Sequence, residues 1–492
     1  MPAVTVDRMR EIEDEAMASG VSEGDLMSRA GFALGKAIGE QYPEIGTAVA
    51  YIGKGHNGGD ALIALRVLRD KFGWEVGVRA GYAEVEWAEL TRLQWTGLDL
   101  DQSLKAGWEK EAFGPVLLLD GLLGIGAKGA LREPLLGMAK EMKSLRDNRG
   151  ATVVAVDLPS GVNPDNGEVF EGAVIADRTF TLGAAKQGLL MANAANAVGG
   201  LALVEVEGLG VSEGGGFELI CPQEMNFGKP VRPFDFHKGM AGRVGIVAGS
   251  KAFTGAALLA VTGAIRAGGG LVTLYGRSEV CDRVLSRLPV EAMISPCDDL
   301  NELVDCRVDA WVVGPGLGEV GEEYLAGLKE LLNGTSVPAV IDADGLNLLA
   351  GSGFIFGQRH LITPHPGEFA RLAPNLVDEG REVAAREFVA DCEATLLIKG
   401  SRTIVAKNGS PLRMNSTGTP WMANGGQGDV LSGVLGALLA GGMDPFDSAS
   451  LGAWLCGHAA ELTMEQMGDG CTATEIAKRL PLAARSWRRA LR

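Results

Sequence analysis

The feature that most constrains this chain is a unit that keeps returning: an apolar strand, a glycine-bearing loop, then a helix. Thr47–Ile52 leads through GKGHNGGD into a helical stretch from Ala61 to Lys71 that ends at Gly73. Pro115–Asp120 (PVLLLD) and Thr152–Asp157 (TVVAVD) each close on an aspartate and a glycine-bearing loop, and Leu201–Val206 (LALVEV) reads as the last strand. Such alternation predicts a doubly wound parallel sheet. Two helices precede it: a stripe of Met9, Ile12, Ala16 and Met17 that ends at Gly20, and Leu26 to Ile38. Glycine makes up 71 of 492 residues, about twice the usual ~7%. It falls where strands hand over to helices, which suits backbones that approach phosphates closely.

At roughly 150 residues per domain, a chain of this length holds two or three domains. The alternation breaks between about Gly208 and Phe234, where GLGVSEGGGFE and KPVRPFD show no period. The division expected is a first domain over 1–212, a linker over 213–227 and a second domain over 228–492. A new alternation starts at HKGMAGRVGIVAGS, with strands at Val244–Ala248, Leu271–Leu274, Ala310–Val313, Ala339–Ile341 and His360–Ile362 and a helix at Ala256–Arg266. From Thr395 the texture becomes a meander (LLIKGS, RTIVAK, PLRMNS) with Asn408-Gly409 as a hairpin turn. NGGQG then precedes a helix over Asp429–Leu439. The fold class expected is α/β in two domains, the first Rossmann-like.

A net charge of −17 and a pI near 4.9 argue against nucleic acid or an anionic membrane as partner, since both need a basic face. A few amides and one lysine still suffice for an anionic small ligand. The seven cysteines contain no C-x-x-C pair, so a reduced cytoplasm with core cysteines is expected rather than zinc or disulfides. MPAVTVDRMREIEDEAMASG has no apolar core and is not read as a signal peptide. No apolar run reaches the ~18 residues of a membrane span. The protein is expected in the cytoplasm, as a homo-oligomer.

In the first half, HNGGD (His56, Asn57, Gly58, Gly59, Asp60) joins a strand to a helix, so its flexible residues expose amides that suit an anion. Two further loops, LDGLLGIGAKGA (Leu119–Ala130) and VDLPSGVNPDNG (Val156–Gly167), complete a set of three. Together they resemble the N-terminal, epimerase domain of the YjeF-type NAD(P)H-hydrate repair family, over about residues 7–210. That resemblance implies a potassium ion on Asn57, Asp120 and Ser160, an oxygen-only set suited to a hard, weakly held cation. It also implies contacts to the hydrated dinucleotide from His56–Asp60, from Gly124, Ile125, Gly126, Ala127, Lys128, Gly129 and Ala130, and from Asp157. His56 stands where the family has another Asn, and Ala61 where it has Gly. Lys186 in AAKQG matches a family lysine; a solvated surface lysine is the alternative. For Asp157 the alternative is a strand-end carboxylate capping a turn. The C6 carbinolamine of the hydrated ring can lose hydroxide to an iminium and be rehydrated on the other face. One carboxyl, Asp157, can protonate the leaving oxygen and later deprotonate water.

In the second half, NGGQGDVLSGVLGALLA (Asn424–Ala440) carries most information. Amides of Gly425–Gly428 before a helix make an anion hole for a transferring phosphoryl group. Asp429 at its mouth can take a proton from an attacking hydroxyl; the bland alternative is a helix cap. This arrangement resembles the ribokinase-like fold. GPGLG (Gly314–Gly318), DADGLN (Asp342–Asn347), TPHPGEFARL (Thr363–Leu372) and KGSRT (Lys399–Thr403) follow HKGMAGRVGIVAGS in the order of the YjeF-type C-terminal domain. That domain is an ADP-dependent (S)-NAD(P)H-hydrate dehydratase. The resemblance runs from about His237 onward. It implies hydrate contacts from Ala257, Gly316, His365 and Asp429, and contacts to the AMP part of the nucleotide from Lys399, Gly400, Ser401, Arg402, Thr403 and Gly428. Gln427 and Asn424 depart from the family's threonines. His365 can be a core histidine or a ligand contact, and Pro364, Pro366 and Gly367 favour a loop. Asp342 and Asp344 stay open as turn carboxylates; His458 and Met464 read as core.

The expected whole is a bifunctional enzyme acting on NADHX and NADPHX, the hydrates of NADH and NADPH. One half epimerises the R and S forms; the other dehydrates the S form with ADP and a magnesium ion on the diphosphate, giving AMP and phosphate. The rival is a ribokinase-like kinase of a vitamin precursor fused to a non-catalytic Rossmann-like binding module.

Overall fold

The computed structural model describes residues 1–98, 104–105, 107–211, 214–222, 225 and 233–490. The chain divides into two compact units, Met1–Leu219 and Ile220–Arg492. The expected linker, 213–227, contains a strand, Phe217–Leu219. Its residues 213, 223–224 and 226–227 lie outside the described residues.

The first unit is built on six parallel strands: β1 (Thr47–Ile52), β2 (Glu75–Ala80), β3 (Val116–Gly121), β4 (Thr152–Val156), β5 (Arg178–Leu182) and β6 (Gly200–Val204), in the order β2-β1-β3-β4-β5-β6. Both faces are covered, so the central strands are apolar throughout. In β1, Ala48, Ala50 and Ile52 join one core while Val49 and Tyr51 join the other, the two-residue period of a strand. Helices Glu23–Gln41 and His56–Phe72 cover the first face and Leu135–Arg149 the second. β7 (Phe217–Leu219) pairs with the first residues of the chain, where Leu219 N donates to Met1 O at 2.8 Å.

The second unit carries β8 (Arg243–Val247), β9 (Leu271–Gly276), β10 (Met293–Pro296), β11 (Ala310–Val313), β12 (Ala339–Ile341), β13 (His360–Ile362), β14 (Thr395–Ile398), β15 (Thr403–Ala406) and β16 (Leu412–Asn415). Their order is β10-β9-β8-β11-β12-β13-β14-β15-β16. The strands are parallel up to β14 and antiparallel across β14-β15-β16, which is the expected meander, with Gly409 at φ +73 in its turn. Helices Thr254–Arg266, Gln427–Ala440, Pro445–Met467 and Ala473–Ala490 share one large core with the sheet. Among the described residues no helix is long and apolar enough to cross a membrane.

Candidate active sites

In the first unit β1 leads outward to β2, while β3 leads the other way to β4, β5 and β6. A crevice therefore opens at the carboxyl ends of β1 and β3, where open α/β sheets bind ligands. HNGGD is not a loop as expected: His56–Asp60 form the first turn of the helix that ends at Phe72, with Gly55 as N-cap. Asn57 Nδ2 donates to Leu123 O at 2.9 Å. Asp120, at the end of β3, accepts from Leu122 N (3.2 Å), Ser160 Oγ (2.7 Å) and Ser160 N (2.7 Å), and Leu123 N donates to Ser160 Oγ at 2.9 Å. The expected cation ligands thus meet in one buried knot with the Leu123 carbonyl. The donors are oxygens carrying one formal charge, which fits a hard monovalent cation. Burial pushes the Asp120 carboxyl up to about 6, against its hydrogen bonds to Ser160 and Leu122.

Asp157 follows β4 at φ 67, a left-handed conformation rare outside glycine. Its Oδ1 accepts from Leu182 N (2.9 Å), Thr181 Oγ1 (3.3 Å) and Lys186 Nζ. Lys186 is not a solvated surface lysine: it is 1% exposed and also donates to Leu182 O at 3.0 Å. Two more carboxyls feel this pair. Burial pushes the Glu13 carboxyl above its ordinary range, with Lys186 opposing and Asp157 adding. Asp60 keeps one buried oxygen, Oδ1, without a hydrogen-bond partner. Burial first, then Asp157 and Glu13, hold it well above the usual carboxylate range, against Lys186. Glu13 sits on the amphipathic helix Val6–Ala18 and carried no motif. The loop Gly124–Ala130 starts beside Asn57 (a Cβ on Gly124 would lie 3.3 Å from Asn57 Cβ) and turns on a bond from Ala127 N to Gly124 O. Ile125 packs on Val4, Met9 and Ile12, while Lys128 is exposed. His56 points away to Glu23, 3.2 Å from its Oε1.

In the second unit the order reverses between β8 and β11, so a second crevice opens there. Gly314, Gly316 and Gly318 all have positive φ. A Cβ on Gly316 would come within 2.8 Å of Ala256 and Phe253, so the loop lies directly against the helix that carries buried Ala257. Gly318 N donates to Asp344 Oδ2 at 2.8 Å, and Ala343 between the two aspartates has φ 49. His365 is no core histidine: half-exposed, it caps the helix Pro366–Leu372, its Nδ1 accepting from Gly367 N at 2.9 Å. Glu368 completes the capping box by accepting from His365 N at 2.8 Å.

The helix over Gln427–Ala440 begins earlier than expected, and its N-cap is Gly426 at φ +96. Asp429 is its third residue, so it does not occupy the cap position. Burial, then Asp342 and Asp344 against Lys399, push its carboxyl up to about 6. Lys399 Nζ donates to Asp342 Oδ1 at 2.6 Å and lies 3.8 Å from Glu368 Oε2. Burial opposes its charge, but Asp342 and Glu368 outweigh burial and raise it. Asp342 Oδ2 accepts from Ser432 Oγ at 2.6 Å. Gly428 faces this group: a Cβ there would lie 3.3 Å from Lys399 Nζ. Arg381 Nη2 donates to the carbonyls of Ile398, Lys399 and Arg402 (3.4, 3.3 and 3.2 Å) and so shapes Lys399–Thr403. Within it Thr403 Oγ1 donates to Gly400 O at 3.2 Å, Ser401 is exposed, and Arg402 is buried, which lowers its guanidinium to about 10. The departures Asn424 and Gln427 brace the glycine run: Gln427 Nε2 donates to Asn424 Oδ1, and Asn424 Nδ2 to Trp421 O and Cys471 O. His458 is half-buried against Trp454, with Nδ1 2.9 Å from Glu461, and Met464 is half-buried too. Glu368, Arg381 and Ser432 were not singled out in the sequence, although Glu368 lies inside TPHPGE and Ser432 three residues after Asp429.

Residues 23–188 match the family described as YjeF-related protein N-terminus, and residues 244–482 match NAD(P)H-hydrate dehydratase. A bifunctional NAD(P)H-hydrate repair enzyme of Gloeobacter violaceus is 36% identical over 480 residues, covering 92% of this chain and 91% of the relative. A relative of the same description from Mycobacterium tuberculosis H37Rv is 35% identical, covering 91% and 90%. Among solved structures, a ribokinase-like superfamily protein of Enterococcus faecalis V583 superposes with TM-score 0.50 at 23% identity, over 56% of this chain and 99% of that one; this likeness is one of fold.

Proposed function

The chain belongs to the family of bifunctional NAD(P)H-hydrate repair enzymes, and from that premise we propose how its residues divide the work. It carries NAD(P)H-hydrate epimerase and NAD(P)H-hydrate dehydratase activities, the first in the unit ending at Leu219 and the second in the unit beginning at Ile220.

In the first unit Asp157 moves a proton to and from the oxygen carried by C6. Its carboxyl protonates the departing hydroxyl as the C6–O bond breaks, leaving an iminium supported by the ring nitrogen. It then accepts a proton from the water that adds to the opposite face. Lys186, Thr181 and Leu182 N hold one carboxylate oxygen fixed, so the other is free to work. The loop Gly124–Ala130 and the residues His56–Asp60 flank the hydrated dinucleotide. Asn57, Asp120, Ser160 and the Leu123 carbonyl would hold a potassium ion, which would supply a fixed positive charge. Its donor set supports this reading: oxygens only, with one carboxylate whose burial a cation offsets.

In the second unit Asp429 takes the proton of the C6 hydroxyl as that oxygen attacks the terminal phosphorus of ADP and AMP departs. Phosphate then leaves C6 with the bonding pair, and loss of a proton from C5 restores the dihydronicotinamide. The observation that carries this reading is the position of Asp429: past the cap, in the first turn, beside glycines whose amides point toward an incoming phosphate. Ala257, Gly316 and His365 lie around the hydrate, and Lys399–Thr403 with Gly428 around the nucleotide. Magnesium enters on the nucleotide's phosphates. Mixing the protein with NADH hydrate, potassium, magnesium and ADP should restore the dihydronicotinamide absorbance completely. Restoration that needs no ADP or ATP would overturn the phosphoryl-transfer reading.

A further inference from the structure

Behind Asp429 lie Asp342, Ser432 and Glu368, buried groups that the proposed chemistry does not use. Asp342 is 1% exposed and lies just past the end of β12. One of its oxygens is held by Lys399 Nζ and the other by Ser432 Oγ, both at 2.6 Å. Ser432 also reaches Gly428 O at 3.0 Å, so the network closes on the helix turn that bears Asp429. Glu368 joins Lys399 at 3.8 Å to the cap of His365. The backbone between Asp342 and Asp344 is held in a conformation unusual for alanine, φ 49 at Ala343, and such strain persists only where the surroundings over-determine it.

We propose that Asp342 is a positioning residue for dehydration: it fixes the Lys399 ammonium at the mouth of the Gln427–Ala440 helix, beside Asp429. A lysine has four rotatable carbons and ordinarily wanders. Here a carboxylate that is itself clamped by a serine sets the ammonium where a Cβ on Gly428 would be 3.3 Å away. That spot faces the amides on which a transferring phosphoryl group would rest, so the lysine is preset for the phosphate rather than for the adenosine. The same pair sets the acidity of the base from two sides. The Asp342 charge opposes a charge on Asp429 and the Lys399 charge favours it, while Asp344 adds to Asp342. A base is most effective with its pKa near the working pH, and an unopposed lysine would make Asp429 a weaker one.

The inference rests on Asp429 as the base, and the two can fail separately. Asp429→Asn tests the base, because its loss should remove the acid limb of the dehydration rate. Asp342 is tested by where that limb lies in enzyme that keeps Asp429. In Asp342→Asn, the limb of kcat/KM should move to lower pH, by on the order of one unit, the usual effect of one nearby charge. In Lys399→Met it should move to higher pH, because the favourable charge is gone. Plateau kcat in Asp342→Asn should drop on the order of 10²-fold, the cost of a misplaced group, with a far smaller change in the KM for ADP. A merely structural aspartate would lower activity without moving the limb. Opposite displacements in the two variants support the proposal. A limb that stays in place in Asp342→Asn overturns it. Should that variant not fold, Asp342→Ser, which removes the same charge, takes its place, and a limb that does not fall overturns the proposal.

Discussion

Asp429 and Asp60 are both half-buried carboxyls pushed upward, and their consequences run in different directions. For Asp429 the working form is the anion. A carboxyl near 6 is ionised above that pH and protonated below it, so dehydration should fall about tenfold per pH unit below 6. Asp429→Asn leaves the Gly426 cap untouched, so its melting temperature should stay close to wild type. Its dehydration rate should drop on the order of 10²–10⁴-fold, with ADP affinity little changed. A variant that melts early and dehydrates normally would point to a structural aspartate. For Asp60 the folded state prefers the neutral acid. A group whose folded pKa is raised stabilises fully below its unfolded value and loses that stability as pH rises through the folded value. The first unit should therefore lose stability as pH rises above the ordinary carboxylate values. Asp60→Asn, which cannot ionise, should flatten that loss in thermal melts taken across the range. Melts that decline with pH as steeply as in wild type would show that Asp60 is paired by a partner not seen here.

At the scale of elements, the second crevice depends on two helices in backbone contact. A Cβ on Gly433 would lie 1.9 Å from Ala260 O, and one on Gly263 2.3 Å from Val430 O. This approach sets the helix of Ala257 against the helix of Asp429. Gly433→Ala gains about 1 kcal/mol of helix propensity, but the clash is with backbone and can be relieved only by parting the helices, at about 1–3 kcal/mol or more. Net destabilisation is expected, with a dehydration rate reduced beyond what the lost folded fraction explains, read from melts and rates on one sample. A variant as stable and active as wild type would mean that the helices part freely. The same scale decides what could be read beforehand. β1, β11, β12 and β13 were legible to the residue, because strands buried on both faces are continuous apolar runs. β2 (EVGVRA) and β10 (MISP) were missed, because they sit at sheet edges, half-exposed. β5 (RTFTL) was missed because its threonines look like surface; both are fully buried, Thr179 bonded to Val198 O and Thr181 to Asp157. The helix start at His56 was hidden by Gly58 and Gly59, poor helix formers that are needed because a Cβ on Gly59 would strike Met27 Sδ at 2.7 Å. In the sites, the motif residues were visible in the loops. The burial of Lys186, the nearness of Glu13 and the clamp on Lys399 arise from tertiary contacts that no local pattern carries.

For the molecule as a whole, the fusion joins two reactions that need each other. A hydrate formed without an enzyme contains both C6 epimers, and a dehydratase whose base, phosphoryl donor and hydrate must align in one geometry accepts one of them. Each unit has its own sheet, its own core and its own crevice at a reversal of strand order, so the labour should divide with the fold. A fragment over residues 220–492 should consume the S form of a mixed hydrate quickly and then slow to the pace of spontaneous epimerisation. A fragment over residues 1–219 should interconvert the epimers with no nucleotide present. Adding it to the stalled reaction should restore single-phase consumption, and the same fragment bearing Asp157→Asn should not. The time course of dihydronicotinamide absorbance reads all three. If the larger fragment alone consumes both epimers in one phase, the second crevice does not discriminate at C6, and the first unit needs another reason to be there.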